Sequence, residues 1–206
     1  MSADRGQVLT VRQYVVMQHD VDDLVDLLDL ESIEVNIFRG VSPDEKRQRI
    51  FGGQVAGQAL VAAARTIGDD RAVHSLHAYF LRPGDPSVPV LYEVDRIRDG
   101  RSFTTRRVVG IQHGRAIFNL AASFHLDEPG LEHLEPMPDV SPADGLPTRA
   151  ERFAARGIED PFADNPHPLD IRYVTTSPLD RNQPLPPVQQ SGSAPTAACP
   201  TTRCST

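Results

Sequence analysis

FGGQVAGQALVAAARTIG, Phe51 to Gly68, is the stretch on which the fold of this chain turns. Gly52 and Gly53 allow a close-packed entry, the residues from Gln54 to Thr66 are mostly good helix formers, and Gly68 suits the stop. Val55, Ala56, Ala59, Leu60, Ala62 and Ala63 leave the predicted helix apolar around most of its circumference. Such a helix must be buried, and its small side chains let a sheet come close. An ordinary core helix and a helix that also forms part of a site both fit these residues.

Four extended stretches follow: AVHSLHAYFL (72–81), PVLYEVDRIR (89–98), SFTTRRVVGIQ (102–112) and AIFNLAASFHL (116–126). They are rich in β-branched and aromatic residues. Turn signals separate them at Pro83-Gly84-Asp85, Asp99-Gly100 and His113-Gly114, which predicts an antiparallel meander. Upstream, DVDDLVDLLDL (20–30) sets Val21, Leu24, Leu27 and Leu28 on one helical stripe, with aspartates near its N-terminus. IEVNIFRG (33–40) reads as one short strand, and Ser42 to Arg49 as a polar loop. One buried helix enclosed by long antiparallel strands is an α+β layout and fits a hotdog fold.

The expected organisation has five parts. Residues 1–19 are an N-terminal extension, within which Met17 is an alternative start, and residues 20–127 are the hotdog domain. Residues 128–168 are a proline-rich linker, with ERFAARGI (151–158) at most a short amphipathic turn. Residues 169–190 open a second unit with the strand-like LDIRYV. Residues 191–206 hold no acidic residue and almost only small side chains, and are expected to be disordered.

Composition excludes several functions. A net charge of −7 argues against a general surface for nucleic acid or anionic membranes. No apolar run approaches the roughly 20 residues that span a bilayer, and no signal-like apolar segment opens the chain, so a cytoplasmic protein is expected. Both cysteines, Cys199 and Cys204, lie in the tail, which leaves no thiolate metal site or disulfide framework in the globular part.

Ile37–Gly40, FGGQVAGQAL, HSLHAYFLRPGD, RDGRSF and AIFNLAASF together resemble the acyl-CoA thioesterase II family, over roughly Val21 to Gln190. The resemblance implies two hotdog halves in one chain, hydrolysis of acyl-CoA to free fatty acid and CoA, and no metal or organic cofactor. It places the family's catalytic aspartate, threonine and glutamine in the second half, so no residue here inherits those roles and the chain is expected to be inactive. It also gives the tail an origin. Shifted by one base after Gln190, the codons permit a family-like Val-Trp-Leu-Arg-Ala continuation, so Ser191–Thr206 read as a frameshifted translation that truncates the second half. Two other functions fit less closely: an acyl-CoA-binding or assembly module made of one half, and a hotdog enoyl-CoA hydratase. The hydratase needs an Asp–His pair near the helix, and FGGQVAGQ offers neither residue.

Thioester hydrolysis needs an oriented water, a base and donors for the oxyanion. A helix N-terminus supplies such donors as free N–H groups, so Gly52, Gly53 and Gln54 are expected to shape the acyl or pantetheine tunnel. His74 and His77, three apart on a strand, are expected on opposite faces, with His74 toward the helix end as a further substrate-binding residue. Arg82 and Asp85 brace the LRPGD loop or meet CoA phosphates, and Arg106 and Arg107 are the other phosphate candidates. The expected partners are acyl-CoA and a second copy of the chain.

Overall fold

The computed structural model describes residues 21–43, 48–160, 168–177 and 184–195. In chain order they form α1 (Val21–Leu28), β1 (Glu31–Glu34), β2 (Ile37–Gly40), α2 (Gly52–Ala64), β3 (Arg71–Phe80), β4 (Val90–Asp99), β5 (Phe103–Gln112) and β6 (Arg115–Leu126). A 3-10 turn at Ala143–Gly145, α3 (Arg149–Ala155), β7 (Leu169–Tyr173) and β8 (Ser191–Pro195) complete them. Two compact units result, one from Val25 to Pro129 and one from Gly130 onward together with Val21–Leu24. The expected extension at 1–19 lies outside the described residues.

The first unit is a hotdog. Its six strands pair antiparallel in the order β1-β2-β4-β5-β6-β3, and α2 packs against β2 through β6. Val55, Gln58, Ala59, Ala62 and Ala63 recur at helical spacing and form the buried stripe of α2. The other side of the helix, including Leu60 and Val61, is only half-buried. The sheet meets the stripe with one set of alternate side chains: Val90, Tyr92 and Val94 from β4, Val108 from β5, and Phe118, Leu120, Ala122 and Phe124 from β6. Ala59, Ala62 and Ala63 have no exposed surface, so a larger residue there has to displace the sheet.

Three features differ from the expectation. The stretch 33–40 is not one strand but part of a hairpin, in which β1 pairs with β2 across a turn at Val35-Asn36. Asn36 turns the chain with φ of 62°, a left-handed conformation that asparagine tolerates better than most residues. The meander holds only for β4, β5 and β6. Strand β3 does not pair with β4 but crosses to the far edge of the sheet beside β6. The physical reason is its exit: Pro83, Pro86 and Pro89 crowd the connection to β4, which is a loop rather than a hairpin turn.

The third difference lies within β3. Its register against β6 shifts between Val73 and Ser75, so His74 is an extra residue in a β-bulge. Beyond the bulge, Leu76, Ala78 and Phe80 pair with the core-facing Ala122, Leu120 and Phe118, whereas Ser75, His77 and Tyr79 pair with Ser123, Ala121 and Asn119 on the opposite face.

The second unit has more structure than a linker. Thr148 caps α3: its hydroxyl accepts from the Glu151 amide while the Glu151 carboxylate accepts from the Thr148 amide. These bonds also hold the Glu151 carboxyl below its usual titration range. The Arg172 guanidinium donates to the carbonyls of Ala143, Asp144 and Leu146, which fixes the 3-10 turn beside β7. Ser191–Pro195, expected to be disordered, instead form β8 and pair antiparallel with β7. A ladder uses backbone groups and requires no apolar pattern. Glycine at 192 helps, since a Cβ there would stand 2.8 Å from that of Ala143. Residues 196–206 lie outside the described residues.

Candidate functional site

The start of α2 opens into a cleft of about 380 Å³. Its apolar lining comes from Ile50, Val55, Phe80, Leu81, Ile117 and Phe118, with Gly52, Pro83 and Gly84 between them and Arg49 and Arg82 as its charged residues. The loop after β3 is tied down on both sides. Leu81 and Arg82 amides donate to the Ile117 carbonyl at 2.9 and 3.1 Å, and the Ile50 amide donates to the Gly84 carbonyl at 2.9 Å. Gly84 packs closely here: a Cβ would approach Ile50 Cδ1 to 2.9 Å, and the isoleucine would have to shift.

Gln112 is the inner brace of the same loop. Its Oε1 accepts from the Asp85 amide at 2.8 Å, and its Nε2 donates to the carbonyls of Asp85 at 2.9 Å and Val88 at 2.5 Å. The Asp85 carboxylate turns to Ser87, accepting from its amide and hydroxyl at 2.9 and 2.6 Å. Those bonds hold its pKa below the usual carboxylate value. Arg82 donates to the Ala116 carbonyl at 2.6 Å. Both residues therefore brace the loop, and Arg82 also lines the cleft.

Phe51 precedes α2 with extended backbone and provides no side-chain cap. The first-turn amides of Gly52, Gly53 and Gln54 lie at the positive end of the helix dipole. A Cβ on Gly52 would stand 3.0 Å from the Phe80 ring, so glycine lets the aromatic wall close onto the helix start. The Gln54 side chain is used elsewhere, donating to the Val41 carbonyl and the Ser42 hydroxyl at 3.2 and 3.0 Å. It anchors the chain after β2, and only its backbone belongs to the helix end. An apolar slot beside outward N–H groups and arginine suits a ligand with an apolar tail and an oxygen-rich head. Among the described residues the lining holds no Asp, Glu or His that would act as a general base.

His74 is not part of this arrangement. Its Nε2 lies 2.9 Å from Ser123 Oγ, and its ring packs against His125 and Phe103. Ser123 and His125 alternate with the core-facing residues of β6, so His74 stands on the face of the sheet turned away from α2. The bulge also brings His77 to that face, against the expectation of opposite sides. Arg106 and Arg107 differ sharply too. Arg107 is exposed, whereas Arg106 is 1% exposed and bonded inside the fold to Thr66, Arg98, Thr105 and Asp99. Sequence reasoning missed the aromatic wall of the cleft, because Phe80 and Phe118 meet only through the pairing of β3 with β6.

Residues 41–125, which hold the cleft, match the model of the acyl-CoA thioesterase N-terminal domain. That segment is an acyl-CoA thioesterase N-terminal domain. Acyl-coenzyme A thioesterase 8 of Mus musculus is 41% identical over 203 residues, covering 91% of this chain and 60% of the relative. Acyl-CoA thioesterase 2 of Haemophilus influenzae is 46% identical over 166 residues, covering 80% and 56%. Among solved structures, the acyl-CoA thioesterase II TesB2 of Mycobacterium marinum superposes with a TM-score of 0.64 at 42% identity, covering 85% of this chain and 61% of that one. The chain therefore spans less than two thirds of the length of each of these three relatives. Its thioesterase domain places Gly52 in the cleft and Gly53 and Gln54 in the adjoining helix turn.

Proposed function

We propose that this chain is the N-terminal half of an acyl-CoA thioesterase, and that its cleft receives an acyl-CoA thioester whose hydrolysis gives a free fatty acid and CoA. The observation that carries this reading is the apolar cleft at an uncapped helix start, within a domain of the thioesterase family. The acyl chain lies along Val55, Phe80 and Ile117. The thioester carbonyl faces the amides of Gly52, Gly53 and Gln54, where negative charge on its oxygen is favoured.

Hydrolysis adds water across the carbonyl, breaks the C–S bond and returns the proton to the departing thiolate. That step needs a base to take the proton from water, and among the described residues the cleft lining contains none. The chain on its own therefore binds acyl-CoA and turns it over negligibly, and a second half supplies the base. Loss of a positioned base removes a factor of about 10²–10⁴ in rate.

A homo-oligomer belongs to the same proposal. Strand β3 is a ten-residue edge with Leu76, Tyr79 and Phe80 exposed along it, and such edges invite pairing. Among the described residues no helix is long and apolar enough to cross a membrane. A cytoplasmic setting without a nucleic-acid partner is likewise proposed, in line with the net charge of −7.

The test measures release of free CoA thiol from saturated acyl-CoAs of increasing length and from an enoyl-CoA, alongside calorimetric binding of each. Binding that strengthens with chain length, without thiol release, is the expected result. Steady release of thiol by the chain alone would show that this half carries its own catalytic centre. Failure of all the acyl-CoAs to bind would remove the cleft from the reaction.

A further inference from the structure

We propose that His74 and His125 form a two-nitrogen site for a divalent transition-metal ion of the zinc and copper class, on the sheet face opposite α2. The site is independent of the acyl-CoA reading. The two imidazoles stand on the neighbouring strands β3 and β6, with ring centres 4.8 Å apart and planes inclined at 73°. Two imidazoles that share one ion at about 2.0–2.1 Å per nitrogen have ring centres roughly 4.5–5.5 Å apart, so the pair stands at chelating separation. The β-bulge creates this arrangement. In the regular register Ala72 is the residue opposite His125, and the extra residue carries His74 onto the same face.

Each ring is also held through its second nitrogen. His125 Nδ1 donates to the Leu126 carbonyl, which leaves the lone pair on Nε2. His74 Nε2 is 2.9 Å from Ser123 Oγ, and donation to that oxygen leaves the lone pair on Nδ1. Histidine ligands of metals are commonly oriented in this way, by a carbonyl or other oxygen on the far nitrogen. Phe103 forms an apolar wall, with its ring centre 5.7 Å from that of His74 and 6.0 Å from that of His125.

Among the described residues no third His, Cys, Asp or Glu completes a group of three, so water fills the remaining positions. Two imidazoles and water suit Zn²⁺ and Cu²⁺, with Cu²⁺ the tighter, and do not suit Mg²⁺ or Ca²⁺, which require oxygen ligands. The bound ion joins the edge strand β3 to β6.

The test uses the full chain without a polyhistidine tag, in a Cys199→Ser, Cys204→Ser background so that thiolates do not compete. ZnCl₂ is titrated by calorimetry, CuCl₂ binding is followed by electron paramagnetic resonance, and thermal unfolding is recorded with and without Zn²⁺. The expected outcome is one site whose copper spectrum reports two nitrogen ligands, and a melting temperature that rises with Zn²⁺. His74→Ala and His125→Ala each weaken binding by roughly tenfold or more, because half the protein ligands are gone. His77→Ala, whose ring packs on Tyr79, leaves binding unchanged. No binding above that of the His74→Ala, His125→Ala double variant overturns the proposal. An oxygen-only copper spectrum in the parent protein, or equal loss in His77→Ala, does the same.

Discussion

The phenol of Tyr92 donates a hydrogen bond to Gln58 Oε1 at 2.8 Å, joining β4 to the middle of α2 where neither residue has any exposed surface. Gln58 Nε2 completes the junction, donating to the Leu27 carbonyl at 2.8 Å and the Val41 carbonyl at 3.1 Å. Gly40 makes room for it, since a Cβ there would fall 2.5 Å from Gln58 Oε1. Each buried polar group left without a partner costs about 1–3 kcal/mol. Gln58→Leu strands several groups and Tyr92→Phe strands one. Urea unfolding is expected to show the larger loss for Gln58→Leu, and equal losses would mean that the backbone contacts of Gln58 contribute nothing.

The same burial pushes the Tyr92 phenol above its ordinary pKa of 10.0. In the unfolded chain the phenol ionises first as pH rises. Its contribution to stability is therefore complete below about pH 10 and is lost as pH climbs from there toward the raised folded value. Stability against pH should fall steeply above about pH 10 in the parent protein and less steeply in Tyr92→Phe. Parallel curves for the two proteins would contradict this assignment.

Arg106 fastens the end of the central helix to the sheet. Its Nε donates to Thr66 Oγ1 at 2.7 Å and Nη2 to the Thr66 carbonyl at 3.1 Å, while Nη1 reaches the carbonyls of Arg98 and Thr105. Removing one partner from a buried charged network typically costs about 3–5 kcal/mol. Arg106→Ala should lose that much, and Arg106→Lys should recover only part of it because lysine lacks the planar fork. The exposed Arg107→Ala is expected to stay within about 0.5 kcal/mol of the parent in the same denaturation series.

Gln112→Ala should loosen the loop from Asp85 to Pro89 without unfolding the sheet. Faster amide exchange confined to that loop, together with weaker acyl-CoA binding, is the expected pair of results. Unchanged exchange would show that the remaining backbone bonds suffice.

Phe80→Ala removes an aromatic wall of the cleft. Burial of such a ring against an acyl chain contributes about 1.5–3 kcal/mol. Affinity for long-chain acyl-CoA should drop roughly tenfold or more, with little change for acetyl-CoA. Calorimetry on the two ligands tests this, and a uniform drop for both would place Phe80 away from the acyl chain.

Much of the fold was legible because periodicity is strong where burial is one-sided. The run from Gly52 to Ala64 and the four extended stretches emerge as a helix and strands with shifts of a few residues. Pairing was less legible. Nothing local to β3 says that it crosses the sheet, apart from the prolines of its exit loop. Arg106 and Arg107 are chemically alike as neighbours, and only the face of β5 separates a buried brace from an exposed charge. At the site, the glycines at the helix start carried a readable signal. Phe80, Ile117 and Phe118 come together through register, which a single strand does not encode. The Thr148–Glu151 cap was readable in principle as a threonine followed three residues later by glutamate.

The bulge at His74 acts as a phase slip in the genetic text of the strand. Positions on the α2 side of the sheet run 71, 73, then 76, 78, 80, a step of three where every other step is two. A saturation scan of β3 would therefore show two tolerance waves half a period out of step, meeting at residue 74. Alignments with unbulged strands need their gap there, and a one-residue deletion at that position restores an even count. The same deletion anywhere from 76 to 79 would leave the bulge and turn one end of the strand inside out.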